Sequence, residues 1–198
     1  MRYVALGDSY TIGTSVDASE RFPNQLARRI PSLELVANLG VNGYTTADLI
    51  RDELPALTGL GPEFVTLLIG VNDVVQDIPA ATYEANVVKI LDVLLAAMPV
   101  DRIVTVSIPD YTVTPAGGDY GDPSVKSAAI VDANGIMEQL AGERRVPFVD
   151  IFDVSLDAAT DRSLIAEDGL HPSGRQYGIW VERIAPVVTR SLGETIVE

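Results

Sequence analysis

The sequence predicts an α/β fold with a mostly parallel sheet of five strands. Short apolar runs alternate along the chain with longer amphipathic stretches, and turn residues separate them. Residues 64–69 are apolar on both faces and lie between Pro62 and Gly70, as a central parallel strand requires. Strands that alternate with helices in this way are joined by right-handed crossovers.

The individual elements follow from apolar periodicity and from helix start and stop signals. Strands are predicted at residues 4–6, 33–39, 64–69, 102–108 and 146–151. Helices are predicted at residues 19–30, from Thr45 onward, and at 80–98, 124–141 and 173–192. Thr45 is the expected N-cap of its helix, with Asp48 placed to close a capping box. Pro186 is expected to bend or offset the last helix.

Composition indicates one globular domain, expected over residues 1–198. Hydrophobic residues make up 47% of the chain and charged residues 21%, a balance typical of a folded protein. The formal net charge of −14 argues against nucleic acids and anionic membranes as partners, because both are negatively charged. We expect this charge to keep the protein soluble, and the sequence predicts no oligomeric state.

Residue types that the chain lacks exclude several kinds of site. It contains no cysteine, which excludes disulfides, a cysteine nucleophile and thiolate metal sites. Apart from the single histidine, the chain offers a metal only oxygen ligands. We therefore predict neither a metal nor a cofactor.

The N-terminal apolar run, within residues 1–7, is too short for a signal peptide. No stretch approaches the ~20 apolar residues of a membrane span. We therefore expect a cytoplasmic protein, although a leader outside the given sequence would not be visible in it.

The only histidine, His171, is the first candidate for chemistry. It follows Asp168 by three residues, in Asp-Gly-Leu-His-Pro. A general base near neutral pH is most often histidine, and a carboxylate that fixes its tautomer improves it. One short loop would supply both groups. The alternative is an ordinary surface or capping histidine.

Three further candidates follow predicted strands. Ser9 comes after the first strand in Gly-Asp-Ser-Tyr, where an abrupt turn would expose a nucleophilic hydroxyl. Gly43 follows the second strand and can adopt positive φ, which exposes its N–H. Asn72 follows the third strand, and its amide suits an oxyanion donor. Each taken alone is equally consistent with a simple turn. Asp73 is expected to hold Asn72 or to cap the next segment.

Their joint placement carries more weight than any one motif. The carboxyl ends of parallel strands meet at one edge of a sheet, where the functional crevice of such folds lies. Ser9, Gly43 and Asn72 should therefore converge, with His171 arriving near the same edge before the last helix. The chain lacks a Gly-x-Ser-x-Gly elbow, which disfavours an ordinary α/β-hydrolase.

The order Gly7-Asp8-Ser9, Gly43, Gly70-x-Asn72-Asp73 and Asp168-x-x-His171 resembles the four sequence blocks of the SGNH (GDSL-like) hydrolase family, over nearly the whole chain. The resemblance implies a flavodoxin-like three-layer α/β/α sandwich with a central five-stranded parallel sheet. It also implies Ser9 as nucleophile, His171 as base and Asp168 as its orienting acid. The Ser9 N–H, the Gly43 N–H and the Asn72 amide would form the oxyanion hole. Tyr10 stands where the family has leucine, and should alter the pocket wall rather than the chemistry.

The expected function is hydrolysis of small-molecule carboxylic esters, with short-chain acyl or acetyl groups preferred. Thioester cleavage and acyl transfer use the same constellation, and a non-catalytic module that binds a carbohydrate or a partner is the alternative outside enzymes. Four tyrosines are expected to line the crevice as substrate-binding residues or, equally, to pack on the sheet edge: Tyr10, Tyr44, Tyr111 and Tyr120.

Overall fold

The computed structural model describes residues 1–193 and contains a five-stranded sheet in which every paired strand is parallel. The strand order is β2-β1-β3-β4-β5, which is the flavodoxin-like order. The strands are β1 (Arg2–Gly7), β2 (Glu34–Asn38), β3 (Phe64–Leu68), β4 (Ile103–Val106) and β5 (Phe148–Val149). The predicted fold class is confirmed. The single domain predicted over residues 1–198 extends five residues beyond the described part of the chain.

Nine α-helical segments connect or flank these strands within residues 1–193. They are α1 (Ser9–Ile12), α2 (Phe22–Arg29), α3 (Thr46–Asp48), α4 (Leu54–Leu60), α5 (Val71–Val75), α6 (Ala80–Ala97), α7 (Pro123–Glu143), α8 (Phe152–Leu156) and α9 (Gly174–Ser191). Helices α2 and α9 contact each other on one side of the sheet, and α6 and α7 contact each other on the other side. The chain therefore forms three layers.

The helix boundaries agree with their local signals. The Thr45 side chain accepts from the Asp48 N–H, and Asp48 accepts from the Thr45 N–H at 2.9 Å, so the predicted capping box is present. The predicted helix at 19–30 is instead a 3₁₀ turn (Ala18–Glu20) followed by α2. Helix α9 continues through Pro186 rather than ending there.

The end of β1 depends on one glycine. Gly7 has φ of +150°, and a Cβ there would stand 2.0 Å from the carbonyl oxygen of Leu68 on β3. Only glycine allows the two central strands to approach so closely while the chain leaves the sheet. Apart from Arg2, β1 and β3 are fully buried, which makes this edge of the sheet a rigid base for the residues that follow it.

Within residues 1–193, no helix combines the length and the apolar character that crossing a bilayer requires.

Candidate active site

Ser9 is the first residue after the β1 turn and the first residue of α1. Its side chain is 7% exposed and lines a cavity of about 240 Å³. Asp8, fully buried, caps the helix by accepting the Tyr10 N–H at 3.0 Å. No hydrogen bond joins the Ser9 hydroxyl to another group of residues 1–193. Within the described residues the hydroxyl therefore has no hydrogen-bond partner, and it borders the cavity.

Asp168 and His171 form a close pair in the loop before α9. The Nδ1 atom of His171 lies 2.6 Å from Asp168 Oδ2, while Asp168 Oδ1 accepts the backbone N–H groups of Leu170 and His171. Partial burial alone would raise the pKa of Asp168, but hydrogen bonds from Ser15, Leu170 and His171 outweigh it and lower the pKa to about 2. The carboxylate is thus ionised at neutral pH and favours the tautomer with a proton on Nδ1. Nε2 is then the nitrogen free to take a proton.

The loop after β2 and the turn after β3 lie side by side. Gly43 has φ of +81° and lines the cavity, and no atom lies within 4 Å of where its Cβ would stand. Asn72, in α5, donates one amide N–H to the Tyr44 carbonyl at 2.9 Å. An amide has two such donors, so the second remains for the cavity, which Asn72 also lines.

Asp73 connects the segment after β3 to the start of α3 by hydrogen bonds. It is buried and accepts both the Thr46 N–H, at 2.9 Å, and the Thr46 hydroxyl, at 2.5 Å. Asn86 of α6 donates to the same hydroxyl at 2.9 Å. Asp73 thus holds the start of α3, and with it the Gly43 loop, rather than the Asn72 side chain.

Of the four tyrosines expected at the crevice, Tyr10, Tyr111 and Tyr120 line the cavity and Tyr44 does not. The Tyr10 ring lies 5.7 Å from the His171 ring and 6.2 Å from that of Trp180. The Tyr44 hydroxyl donates to Asp52 at 2.8 Å, and its backbone carbonyl accepts the Asn72 amide N–H. Contact of Tyr44 with substrate stays a prediction.

Two contacts at the site have no local sequence signal. Ser15 donates to Asp168 at 2.6 Å across a separation of 153 residues. Glu53 accepts the Gly7 N–H at 2.9 Å across 46 residues. Glu53 ends a π-helical segment (Leu49–Glu53) between α3 and α4, and such segments often occur at functional sites. Only the three-dimensional fold brings Ser15 to the Asp168 loop and Glu53 to the turn before Ser9.

Two buried carboxyl groups, those of Asp8 and Glu53, lie at the turn that precedes Ser9. Burial raises the pKa of Glu53 to about 9, against a smaller opposing effect of the Gly7 N–H. Burial likewise raises the pKa of Asp8 to about 8. One oxygen of each group has no hydrogen-bond partner, and an unpaired buried charge is costly. Both groups therefore favour the protonated form below these pH values.

Glu53→Gln is expected to raise the free energy of unfolding, by an amount that grows with pH. The pKa of Glu53 rises on folding from 4.5 to about 9, so between these values the folded state keeps a proton that the unfolded chain releases. Glu53 makes its full contribution to the free energy of unfolding of the wild type below pH 4.5. This contribution decreases as the pH rises toward 9, by at most ~1.4 kcal/mol per pH unit. Glutamine stays neutral throughout and keeps the bond to Gly7.

The measurement is the difference in Tm between Glu53→Gln and wild type at several pH values from 5 to 8. Glu63→Gln is the matched control, because Glu63 is exposed and accepts the Arg2 N–H at the other end of β1. A Tm difference for Glu53→Gln that stays flat or narrows with rising pH would contradict the raised pKa.

The fold and this site together define a class, that of hydrolases built on a flavodoxin-like sheet with a serine at its carboxyl edge. The chain belongs to the GDSL-like lipase/acylhydrolase family, whose model matches residues 5–179. The predicted family is thereby confirmed. A search of curated proteins gave no match to the sequence.

Three solved structures illustrate the similarity of fold. A member of the lipolytic G-D-S-L family from Veillonella parvula has a TM-score of 0.78 at 16% identity, covering 96% of this chain and 99% of its own. The psychrotrophic esterase EstA from Pseudoalteromonas sp., inhibited by monoethylphosphonate, has a TM-score of 0.73 at 17% identity, covering 98% and 99%. An acetyl xylan esterase from Geobacillus stearothermophilus has a TM-score of 0.68 at 19% identity, covering 100% and 96%. At these identities the likeness shows the fold.

Proposed function

We propose that the protein is a serine esterase that hydrolyses small carboxylic esters through an acyl-enzyme on Ser9. The observation that carries the proposal is a single cavity lined at once by Ser9, Gly43, Asn72 and His171. These residues supply a nucleophile, oxyanion donors and a base, which are the parts that acyl transfer to a serine needs.

The first half of the reaction forms the acyl-enzyme. His171 Nε2 takes the Ser9 proton as the hydroxyl oxygen attacks the ester carbonyl carbon, and the carbonyl π-electrons move onto oxygen. When the tetrahedral intermediate collapses, the bond to the alcohol oxygen breaks and His171 returns the proton to the leaving alcohol. Asp168, 2.6 Å from Nδ1, stabilises the imidazolium that exists between these two transfers.

The second half releases the acid. A water takes the place of the alcohol and gives its proton to His171 as it attacks the acyl carbon. The Ser9 oxygen then leaves with that proton. In both halves the oxyanion would be held by the Ser9 N–H, the Gly43 N–H and the second Asn72 N–H. The Ser9 N–H is available because the first N–H groups of a helix have no partner within it.

The cavity favours short acyl groups. Its size is about 240 Å³, and its non-reacting wall is formed by aliphatic side chains and aromatic rings: Val71, Val75, Leu170, Tyr111 and Tyr120. Tyr111 and Tyr120 pack edge to face at 5.8 Å, which closes one side. On this size and lining, a short acyl chain is the substrate that we propose in preference to a long fatty acid. One of the solved structures of similar fold is an acetyl xylan esterase, and acetyl is a short acyl group.

The test combines a substrate series with covalent labelling of the wild-type protein. Turnover of p-nitrophenyl esters is expected to be highest for acetyl to butyryl chains and to fall with longer ones. An alkyl fluorophosphonate should form one Oγ–P bond with loss of fluoride, and the mass shift should lie on the peptide that contains Ser9. A folded protein that is inert on every ester and unlabelled would refute the proposal and favour the binding-module alternative. Labelling without ester turnover would refute ester hydrolysis as the reaction and favour thioester cleavage or acyl transfer.

A further inference from the structure

The loop that follows α1 contains a residue in an unfavourable backbone conformation. Ser15 has φ of +65°, and the other non-glycine residues with positive φ in the described part of the chain are Asp77 and Arg145. Residues other than glycine, asparagine and aspartate seldom adopt this region. Such a conformation persists only where the surrounding structure imposes it, and it occurs preferentially at functional sites.

The Ser15 side chain contacts the acid of the Asp168–His171 pair. Its hydroxyl donates to Asp168 Oδ2 at 2.6 Å, and the same oxygen lies 2.6 Å from His171 Nδ1. The other carboxylate oxygen is held by backbone N–H groups of its own turn, at 2.9 Å each. Within residues 1–193, Ser15 is the side chain from outside that turn which fixes the carboxylate.

The strained backbone and the contact are two parts of one arrangement. Because φ and ψ set the direction of the Cα–Cβ bond, the left-handed conformation determines where the Ser15 hydroxyl points. The contact also joins the segment that carries Ser9 to the loop that carries His171. A rotation of the Asp168 carboxylate about its χ2 bond would move Oδ2 away from Nδ1, and the Ser15 hydroxyl opposes that rotation.

We propose that Ser15 is a positioning residue, whose hydroxyl holds Asp168 Oδ2 in the orientation that fixes the His171 ring and its tautomer. The kinetic part of the test rests on the proposed esterase function, whereas the spectroscopic part does not. Ser15 is exposed, so water replaces part of a lost hydrogen bond. We therefore expect kcat to fall about three- to tenfold without the hydroxyl, with KM unchanged.

Two variants separate the hydroxyl from the backbone strain. Ser15→Ala removes the hydroxyl and keeps a Cβ at positive φ, whereas Ser15→Gly removes the hydroxyl and relieves the strain. Both should lose kcat equally, and Ser15→Gly should have a Tm equal to or above that of Ser15→Ala. Arg145→Gly is the control, because Arg145 has φ of +60° and lies just before β5, where relief of strain should leave kcat unchanged.

Proton NMR of the resting protein gives an independent readout. His171 is the only histidine in the chain, so a downfield imidazole N–H signal belongs to it without further assignment. In wild type this signal should be visible, and in both Ser15 variants it should shift and exchange faster with solvent. Arg145→Gly should reproduce the wild-type signal.

Each outcome decides the proposal. Equal loss of kcat in both variants with a changed His171 signal supports it. A loss in Ser15→Gly alone assigns the effect to the backbone and overturns it, as does a kcat within twofold of wild type in both variants. A loss with an unchanged signal also overturns it, because the hydroxyl then acts without Asp168. A wild type inert on esters whose signal still responds refutes the esterase function and supports the role of Ser15.

Discussion

Ser9→Ala is expected to lower kcat/KM for a short-chain p-nitrophenyl ester by about 10⁴-fold or more, the scale seen when a serine nucleophile is removed. Without the hydroxyl no acyl-enzyme forms, and the residual rate comes from a water attacking an ester held by the oxyanion donors. The measurement is initial-rate kinetics on the ester that wild type turns over fastest, with the variant purified separately from any wild-type enzyme.

The loss should come without a loss of folding. The Ser9 hydroxyl makes no hydrogen bond to other groups of residues 1–193, so its removal should change stability by less than ~0.5 kcal/mol. Ser19→Ala is the control, because Ser19 is exposed in the 3₁₀ turn before α2 and should retain full activity. A well-folded Ser9→Ala with unchanged turnover would remove Ser9 as nucleophile and with it the proposed mechanism.

The sequence predicted the fold well because each central strand carries its own signal. Residues 64–69 are apolar on both faces, and β3 is indeed buried along its whole length between β1 and β4. The edge strand was predicted too long: residues 146–151 were expected, but only Phe148–Val149 form β5. As an edge strand, β5 pairs with β4 alone, at Thr105 and Val106, and so lacks a second neighbour to extend its ladder.

The sequence predicted those parts of the site that directly follow the ends of strands. Ser9 and Asn72 follow β1 and β3, which are neighbours in the sheet, so their meeting follows from topology. Tyr44 lies outside the cavity lining and bonds to Asp52 instead, a contact that the sequence of the turn does not indicate.

The contacts that Ser15 and Glu53 make at the site could not be predicted from the sequence, for a related reason. Glu53 and Ser15 reach the site across separations of 46 and 153 residues. Neither belongs to a motif, and the strained φ of Ser15 and the π-helical segment before α4 leave no pattern in the sequence. Such contacts depend on how the helices, strands and loops pack together, which the three-dimensional structure shows and the sequence pattern does not.

Asn72→Ala is expected to lower kcat by about 10²- to 10³-fold, the usual effect of removing one oxyanion donor. KM should change little, because the amide N–H interacts more strongly with the oxyanion of the transition state than with the neutral carbonyl of the substrate. Asn72→Asp keeps the shape but replaces the donor with a negative charge facing the oxyanion, so its kcat should fall at least as far.

A matched control separates the donor from its support of the loop. Asn72 also holds the Tyr44 carbonyl, and Gln76, one turn further along, donates to the adjacent Gly43 carbonyl at 3.5 Å. Gln76→Ala thus removes a hydrogen bond to the same loop but removes no donor from the cavity. The kcat of this variant should stay within about twofold of wild type. If Gln76→Ala lost as much activity as Asn72→Ala, the loop conformation rather than the Asn72 donor would control the rate. A large loss confined to Asn72, with KM unchanged, would mean that the amide acts on the oxyanion itself.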